Sequence, residues 1–209
     1  MEKKNAYLEE KIVYFETPGL GNTEETLRLV AERAKARGIS KIVLASTTGD
    51  TARLAAKRFA GSGIKMVVVP HQYGFIGPQR FPMELVPELE KQGHCVHFGT
   101  MLFHTDGFYG VTTPSVMATI LRIFSQGMKV CVEIILMATD GGCVASGEKV
   151  IVVTGTGRGA DTAVVAIAAP STKLNELHIT EIICKPLETK SWPAGVRPPR
   201  PPAEIVRPE

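Results

Sequence analysis

The stretches from Ile64 to Val69 and from Val150 to Thr154 keep an apolar character almost without interruption. A strand with one wet face alternates apolar and polar side chains. Runs of this kind belong to strands covered on both faces, as in a parallel sheet held between helices. Further short runs stand at Ile12–Phe15, Ile42–Ala45 and His94–Phe98, with more strand candidates at Thr162–Ala169 and Ile179–Cys184.

Amphipathic stretches separate these runs. Leu27, Val30, Ala31 and Ala34 fall at helical spacing. Asn22 or Thr23 supplies an N-cap, Glu24 and Glu25 suit the positive helix end, and Gly38 suits the C-cap. A second helix runs from the Ser46–Thr51 turn through Phe59. A third is expected over Phe81–Gln92, with Pro82 in its first turn and a kink at Pro87. Ser115–Gln126 reads as a helix ending near Gly127. Met128–Asp140 fits both periods, and its length and the Gly141-Gly142 stop favour a helix. This βαβαβ rhythm implies an open, mostly parallel sheet with right-handed crossovers. Ligands in such folds bind at the carboxyl ends of strands, so the loops after each strand carry the functional question. Two of them, 70–79 and 99–113, are long enough to suggest a purpose.

With 209 residues, one α/β/α domain over 1–185 is expected. The remainder, 186–209, is proline-rich, and Pro198-Pro199-Arg200-Pro201-Pro202 reads as polyproline II. Trp192 is positioned to pin the start of that tail. The net charge is +3 without a dense basic block, and aromatics are only 6%, which argues against nucleic acid. No run of about 18 apolar residues predicts a membrane span. No apolar signal core opens the chain, so the expected location is cytoplasmic. Cys95, Cys131, Cys143 and Cys184 contain no C-x-x-C and read as free buried thiols.

Four loop constellations are candidates for chemistry. Ser46-Thr47-Thr48-Gly49-Asp50-Thr51 brings hydroxyls and unpaired amides to a helix start, an arrangement that holds phosphate without a lysine. The same residues also satisfy a plain helix cap, and the Asp50 carboxylate fits that better. Gly155-Thr156-Gly157-Arg158-Gly159-Ala160 follows a strand and satisfies G-x-G-x-x-A, yet the residues after it are too β-branched for the crossover helix of a dinucleotide site. Arg158 remains a candidate anion ligand. His71-Gln72-Tyr73-Gly74-Phe75 and Phe103-His104 offer planar side chains on which an aromatic cofactor could stack, or simply anchor long loops to the core. Thr17-Pro18-Gly19-Leu20-Gly21-Asn22 is another glycine turn at a helix start. No metal is expected, since His94 and His97 lie three apart on a strand and face opposite ways. No catalytic set assembles, because no serine sits in G-x-S-x-G and Asp106 and Asp140 are single carboxylates, the latter suited to capping the Gly141-Gly142 turn.

The segment Lys41-Ile42-Val43-Leu44-Ala45-Ser46-Thr47-Thr48-Gly49-Asp50-Thr51-Ala52-Arg53-Leu54 resembles the carboxyl-terminal domain of pyruvate kinases. So does the segment Asp140-Gly141-Gly142-Cys143-Val144 followed by Gly147-Glu148-Lys149-Val150-Ile151-Val152-Val153-Thr154-Gly155. Both occur in the right order, and the resemblance covers about residues 12–170. It implies a three-layer α/β/α domain with a mixed five-stranded sheet of order 3-2-1-4-5, the last strand antiparallel. It also implies a helix at Met128–Asp140. In that family the Ser/Thr-Gly loop holds a phosphate of a sugar bisphosphate effector, a role that maps onto Ser46, Thr47, Thr48, Gly49 and Thr51. The catalytic barrel has no counterpart here, so pyruvate kinase activity is not expected.

The chain thus resembles free-standing archaeal or bacterial relatives of that domain, which are associated with flavin mononucleotide. A phosphate on the Ser46 loop would then be joined to a ring near Tyr73, Phe75 or Phe103. The expected function is binding of a phosphorylated small molecule, flavin mononucleotide first. One alternative is a flavin-dependent oxidoreductase with His71, His104 or Asp106 as proton donor. Another is a structural or regulatory subunit whose tail docks on a partner. Self-association is a further implication of the resemblance.

Overall fold

The computed structural model describes residues 7–189. Strands β1 (Val13–Phe15), β2 (Lys41–Ala45), β3 (Lys65–Val69), β4 (Cys95–Val96), β5 (Lys149–Thr154), β6 (Thr162–Ile167) and β7 (His178–Pro186) form one sheet. Its order is β1-β7-β6-β5-β2-β3-β4. Neighbours β5–β2, β2–β3, β3–β4 and β1–β7 are parallel, whereas β6 is antiparallel to both β5 and β7. The expected five-stranded order is present as β4-β3-β2-β5-β6, with β6 its antiparallel member. The sheet has seven strands rather than five because β7 and β1 extend it past β6. Arg33 and Arg37 explain part of that extension: both guanidinium groups pair with the Glu181 carboxylate of β7.

The helices are α1 (Thr23–Arg37), α2 (Asp50–Arg58), α3 (Leu85–Lys91), α4 (Asp106–Tyr109), α5 (Thr113–Leu121) and α6 (Gln126–Asp140). Alternate side chains of each buried strand serve opposite layers. Ile42 and Leu44 join Leu27, Val30, Ala55 and Leu85 under α1–α3. Val43 joins Cys131, Ile135 and Val152 under α6. Each such side chain contributes about 1.5–3 kcal/mol when fully withdrawn from water. A smaller cluster of Phe103, Ala118, Val132 and Leu136 binds α5 and the 102–104 turn to the outer side of α6.

Several boundaries differ from expectation. The third helix starts at Leu85, not Phe81, so Pro87 falls in its first turn, where a missing N–H costs nothing and no kink is needed. The fourth strand is only two residues long, at the edge of the sheet. The helix expected at Ser115–Gln126 begins at Thr113 and stops at Leu121. Ser125 then caps α6, its hydroxyl accepting from the Met128 amide. Asp140 accepts from the Ser171 amide at 2.7 Å instead of capping its own turn. Strand β7 runs through Pro186, one residue past the expected end of the domain, and Leu187 N–H donates to the Phe15 carbonyl. Trp192 and the Pro198–Pro202 run lie outside the described residues. No helix among the described residues is long and apolar enough to cross a membrane.

Candidate functional site

The loops after β1, β2 and β5 meet at the carboxyl edge of the sheet, and one carboxylate joins two of them. Asp161 is fully buried. Its Oδ2 accepts from the amides of Gly19 and Thr156, each at 3.0 Å, and its Oδ1 accepts from the Thr162 hydroxyl. Thr23 donates its hydroxyl to the Leu20 carbonyl and accepts from the Ala160 amide. Gly159 sits at φ +74°, where a β-carbon would lie 2.4 Å from the Thr23 hydroxyl and 2.7 Å from the Leu20 backbone. That close approach is why the turn needs glycine.

The β2–α2 loop completes the edge. Gly49 has φ +83°, and a β-carbon there would lie 2.9 Å from Leu85 Cδ2 and 3.0 Å from Pro82 Cδ. Ser46 is buried and its Oγ accepts from the Ala52 amide at 3.2 Å. The amides of Thr47, Thr48, Gly49, Asp50 and Thr51 donate to no acceptor among the described residues. A helix start with this many free N–H groups carries a partial positive charge and attracts anions. Asp50 accepts from the Thr48 hydroxyl at 2.7 Å and meets Arg158 at 3.3 Å. Both partners are exposed, so the pair adds little stability. It does bring Arg158, from the loop after β5, to the start of α2. Thr156 Oγ1 is buried there without a hydrogen-bond partner.

The aromatic loops stand beside this edge. Tyr73 is 58% exposed, leans on Phe98 at 5.2 Å between ring centroids, and donates its hydroxyl to Met83 Sδ at 3.4 Å. Met83 adjoins Pro82, which packs against Gly49, so side-chain contacts link the Tyr73 loop to the start of α2. His71, Phe75 and His104 form a chain of edge-to-face contacts at 5.0 and 4.8 Å. Phe103 is different. It is buried against Ala118, Val132 and Leu136, and only a small part of it reaches the cavity beside His104. Thr17 and Asn22 serve their own turn, the Asn22 amide donating to the Thr17 carbonyl at 2.8 Å. Gly74 and Gly157 are exposed at loop tips, and half-buried Gly155 packs against Gly159.

Behind Phe103 lies a charged cluster in α6. Lys129 and Glu133 are each 1% exposed and form an ion pair. The Lys129 ammonium also donates to His104 Nε2 at 2.7 Å, and Glu133 Oε1 accepts from the Phe103 amide at 2.8 Å. Burial pushes the lysine down from its usual range, with Glu133 opposing. Burial first, then nearby cations, pushes His71 and His104 down to about 4. Both imidazoles are therefore neutral at pH 7, and His104 Nε2 is the acceptor that Lys129 requires. A cavity of about 280 Å³ opens on His104, lined also by Val111, Ser115, Val116 and Arg122.

The depressed histidines have a measurable consequence. A histidine held neutral by the fold contributes its full stability above pH 6.5. That stability falls as pH drops from 6.5 toward 4, because only the unfolded chain takes up the proton. The melting temperature should therefore decline between pH 7 and 4.5, and decline less steeply in a His71→Gln/His104→Gln variant. Equal slopes in thermal melts of the two proteins would contradict the buried, neutral imidazoles.

Residues 24–166 match the pyruvate kinase alpha/beta domain family model, well over half of the chain. The chain belongs to the pyruvate kinase alpha/beta domain family. Among solved structures it is similar to Cryptosporidium parvum pyruvate kinase in complex with ADP, at 17% identity and a TM-score of 0.34. The match covers 69% of this chain and 23% of that one. Within this family domain, the loop directly after β5 leads into antiparallel β6 and not a helix, so its G-x-G-x-x-A is a turn without a dinucleotide-binding crossover.

Three features escaped the sequence reading: Asp161, the Lys129–Glu133 pair, and the contact between Cys95 and Cys143. The first two did leave a signal. Each is a charge set directly beside or within an otherwise apolar run, where it needs a partner.

Proposed function

We propose that this chain binds a phosphorylated small molecule, flavin mononucleotide best of all, at the carboxyl edge of β1, β2 and β5. The row of free amides from Thr47 to Thr51 supports the reading most directly. It offers unpaired donors and a helix dipole to a dianion, and the Thr48 and Thr51 hydroxyls stand in the same turn. Arg158 supplies a guanidinium, and a bound phosphate would compete with Asp50 for it. The residues fit the flavin as well as the phosphate, because the exposed Tyr73 ring beside Pro82 and Met83 gives an isoalloxazine a face to stack on. Neither the cavity at His104 nor a larger apolar one near Ile12 and Phe124 includes this loop. The proposed site follows the sheet edge outside those two cavities.

When bound, flavin mononucleotide supplies two-electron redox chemistry. The residues of this rim are suited to binding and orienting it. His71, held neutral, stands in the same loop as Tyr73 and is a group able to accept a proton there.

Fluorescence titration and thermal shift with the purified chain test the proposal. Flavin mononucleotide should bind at least about 30-fold more tightly than riboflavin, since a charge-assisted phosphate contact set contributes about 2 kcal/mol or more. Tyr73→Ala should weaken flavin mononucleotide and leave inorganic phosphate unaffected. Asp50→Asn should strengthen both. Equal affinity for the flavin with and without phosphate would overturn the site, and so would the absence of any shift with either compound.

A further inference from the structure

Cysteines 95 and 143 approach each other from elements 48 residues apart, with Sγ atoms 3.3 Å from one another. Both are half-buried and free. Strong backbone restraints hold each one. Cys95 lies on β4 in register with Val67 of β3. The Cys143 amide donates to the Ala138 carbonyl at the end of α6, and its carbonyl accepts from Lys41 Nζ at 3.3 Å. Lys41 is itself anchored to Glu148 at 2.9 Å. The other two cysteines are fully committed elsewhere. Cys131 contacts the Thr154 hydroxyl on the α6 side of the sheet, and Cys184 contacts the Thr26 hydroxyl on the α1 side. The thiols do not behave as four scattered buried groups, as the sequence suggested; two of them form a facing pair.

We propose that Cys95 and Cys143 are a reversible oxidation site, forming an intrachain disulfide when the chain meets a low-molecular-weight disulfide oxidant. Moving from van der Waals contact to a bond of about 2.05 Å asks for roughly 1.2 Å of approach, within reach of small side-chain rotations. The Cys143 thiolate attacks the oxidant disulfide, which releases one thiolate and leaves a mixed disulfide. The Cys95 thiolate then attacks Cys143 Sγ and expels the second. Two protons pass from the cysteines to the two departing thiolates, and the oxidant is reduced by two electrons. Burial first, then the neighbouring Cys143 thiol, pushes Cys95 up to about 11, with Lys41 opposing, and makes the second step the slower one.

The bond would close a covalent loop around α4, α5 and α6. That loop includes the 99–113 segment with Phe103 and His104. Its effect would be to pin the end of α6 to the short edge strand β4, and so to limit opening of the aromatic flank. Closure of a loop this long restricts the unfolded chain substantially.

The test uses the full chain incubated with oxidised glutathione or with dithiothreitol, then denatured. Titratable thiols should number four after reduction and two after oxidation, with one crosslinked peptide joining Cys95 to Cys143 by mass spectrometry. Oxidation should raise the melting temperature by roughly 5–10 °C, and dithiothreitol should reverse the rise. Cys143→Ser should retain its three thiols under the same oxidant and show no rise. Four thiols after oxidation, a crosslink through Cys131 or Cys184, or a glutathione adduct at Cys143 that Cys95 never displaces would each overturn the proposal.

Discussion

Replacing Lys129 with methionine should cost about 3–5 kcal/mol of unfolding free energy, one of the largest single losses available in this fold. The side chain is 1% exposed, and its ammonium is shared between Glu133 and His104. Methionine fills the volume but leaves the Glu133 carboxylate buried with the Phe103 amide as its hydrogen-bond donor and a neutral His104 Nε2 at 3.9 Å. The protein must then keep an uncompensated charge or protonate it. A Lys129→Met/Glu133→Gln double variant should recover more than half of the loss, because a neutral amide oxygen still accepts from Phe103 and no unpaired charge remains. Urea unfolding of the wild type, the Lys129→Met and Glu133→Gln single variants and the double variant completes the cycle. A single Lys129→Met variant within about 1 kcal/mol of wild type would mean that the pair is hydrated rather than sealed.

The cluster also sets the position of the aromatic flank. Glu133 holds the Phe103 amide and Lys129 holds His104, so two consecutive residues of the 102–104 turn are tied to α6. Through Phe75 and His71 that restraint reaches the loop carrying Tyr73. A loss at Lys129 should accordingly loosen both long loops together.

The parts of the molecule that were legible in the sequence are those governed by local rules. Unbroken apolar runs identified β3 and β5, the Gly38 cap marked the end of α1 in its left-handed conformation, and the Ser/Thr-Gly turn led into α2. What stayed hidden depends on contacts between distant residues. Nothing local in His178–Pro186 says that it would add to the far edge of the sheet, since that depends on Arg33 and Arg37 reaching Glu181. The short length of β4 follows from its edge position, where only Val67 and Val68 are paired. Phe103 looked like a stacking residue because its neighbours are aromatic and polar, whereas α5 closes over it. Asp161 is the clearest case. A carboxylate at the start of an apolar run signals only that it needs a partner, and which partners it finds depends on amides 142 and five residues away.

Removal of that carboxylate should be nearly as damaging as loss of Lys129. Asp161→Ala leaves the buried Gly19 and Thr156 amides without an acceptor, and each unsatisfied group costs about 1–3 kcal/mol. A total loss of about 3–4 kcal/mol is expected by urea unfolding. Asp161→Asn should lose roughly half as much, because the amide oxygen still accepts from both backbone groups but without charge assistance. The more specific readout is hydrogen exchange. Gly19 and Thr156 amides should lose protection in Asp161→Ala while the amides of β2 and β3 keep theirs, since the strand ladder is untouched. Binding should follow the loops rather than the core. With the Asp161 tie between the turns after β1 and β5 cut and only the Thr23 and Thr26 bonds to Ala160 holding them, Arg158 would lose its fixed place opposite Asp50, and affinity for flavin mononucleotide should fall about tenfold or more under conditions where the variant is still fully folded. Unchanged exchange at Gly19 and Thr156 would show that the three loops hold their arrangement without Asp161, and that the carboxylate is not what keeps the rim in shape.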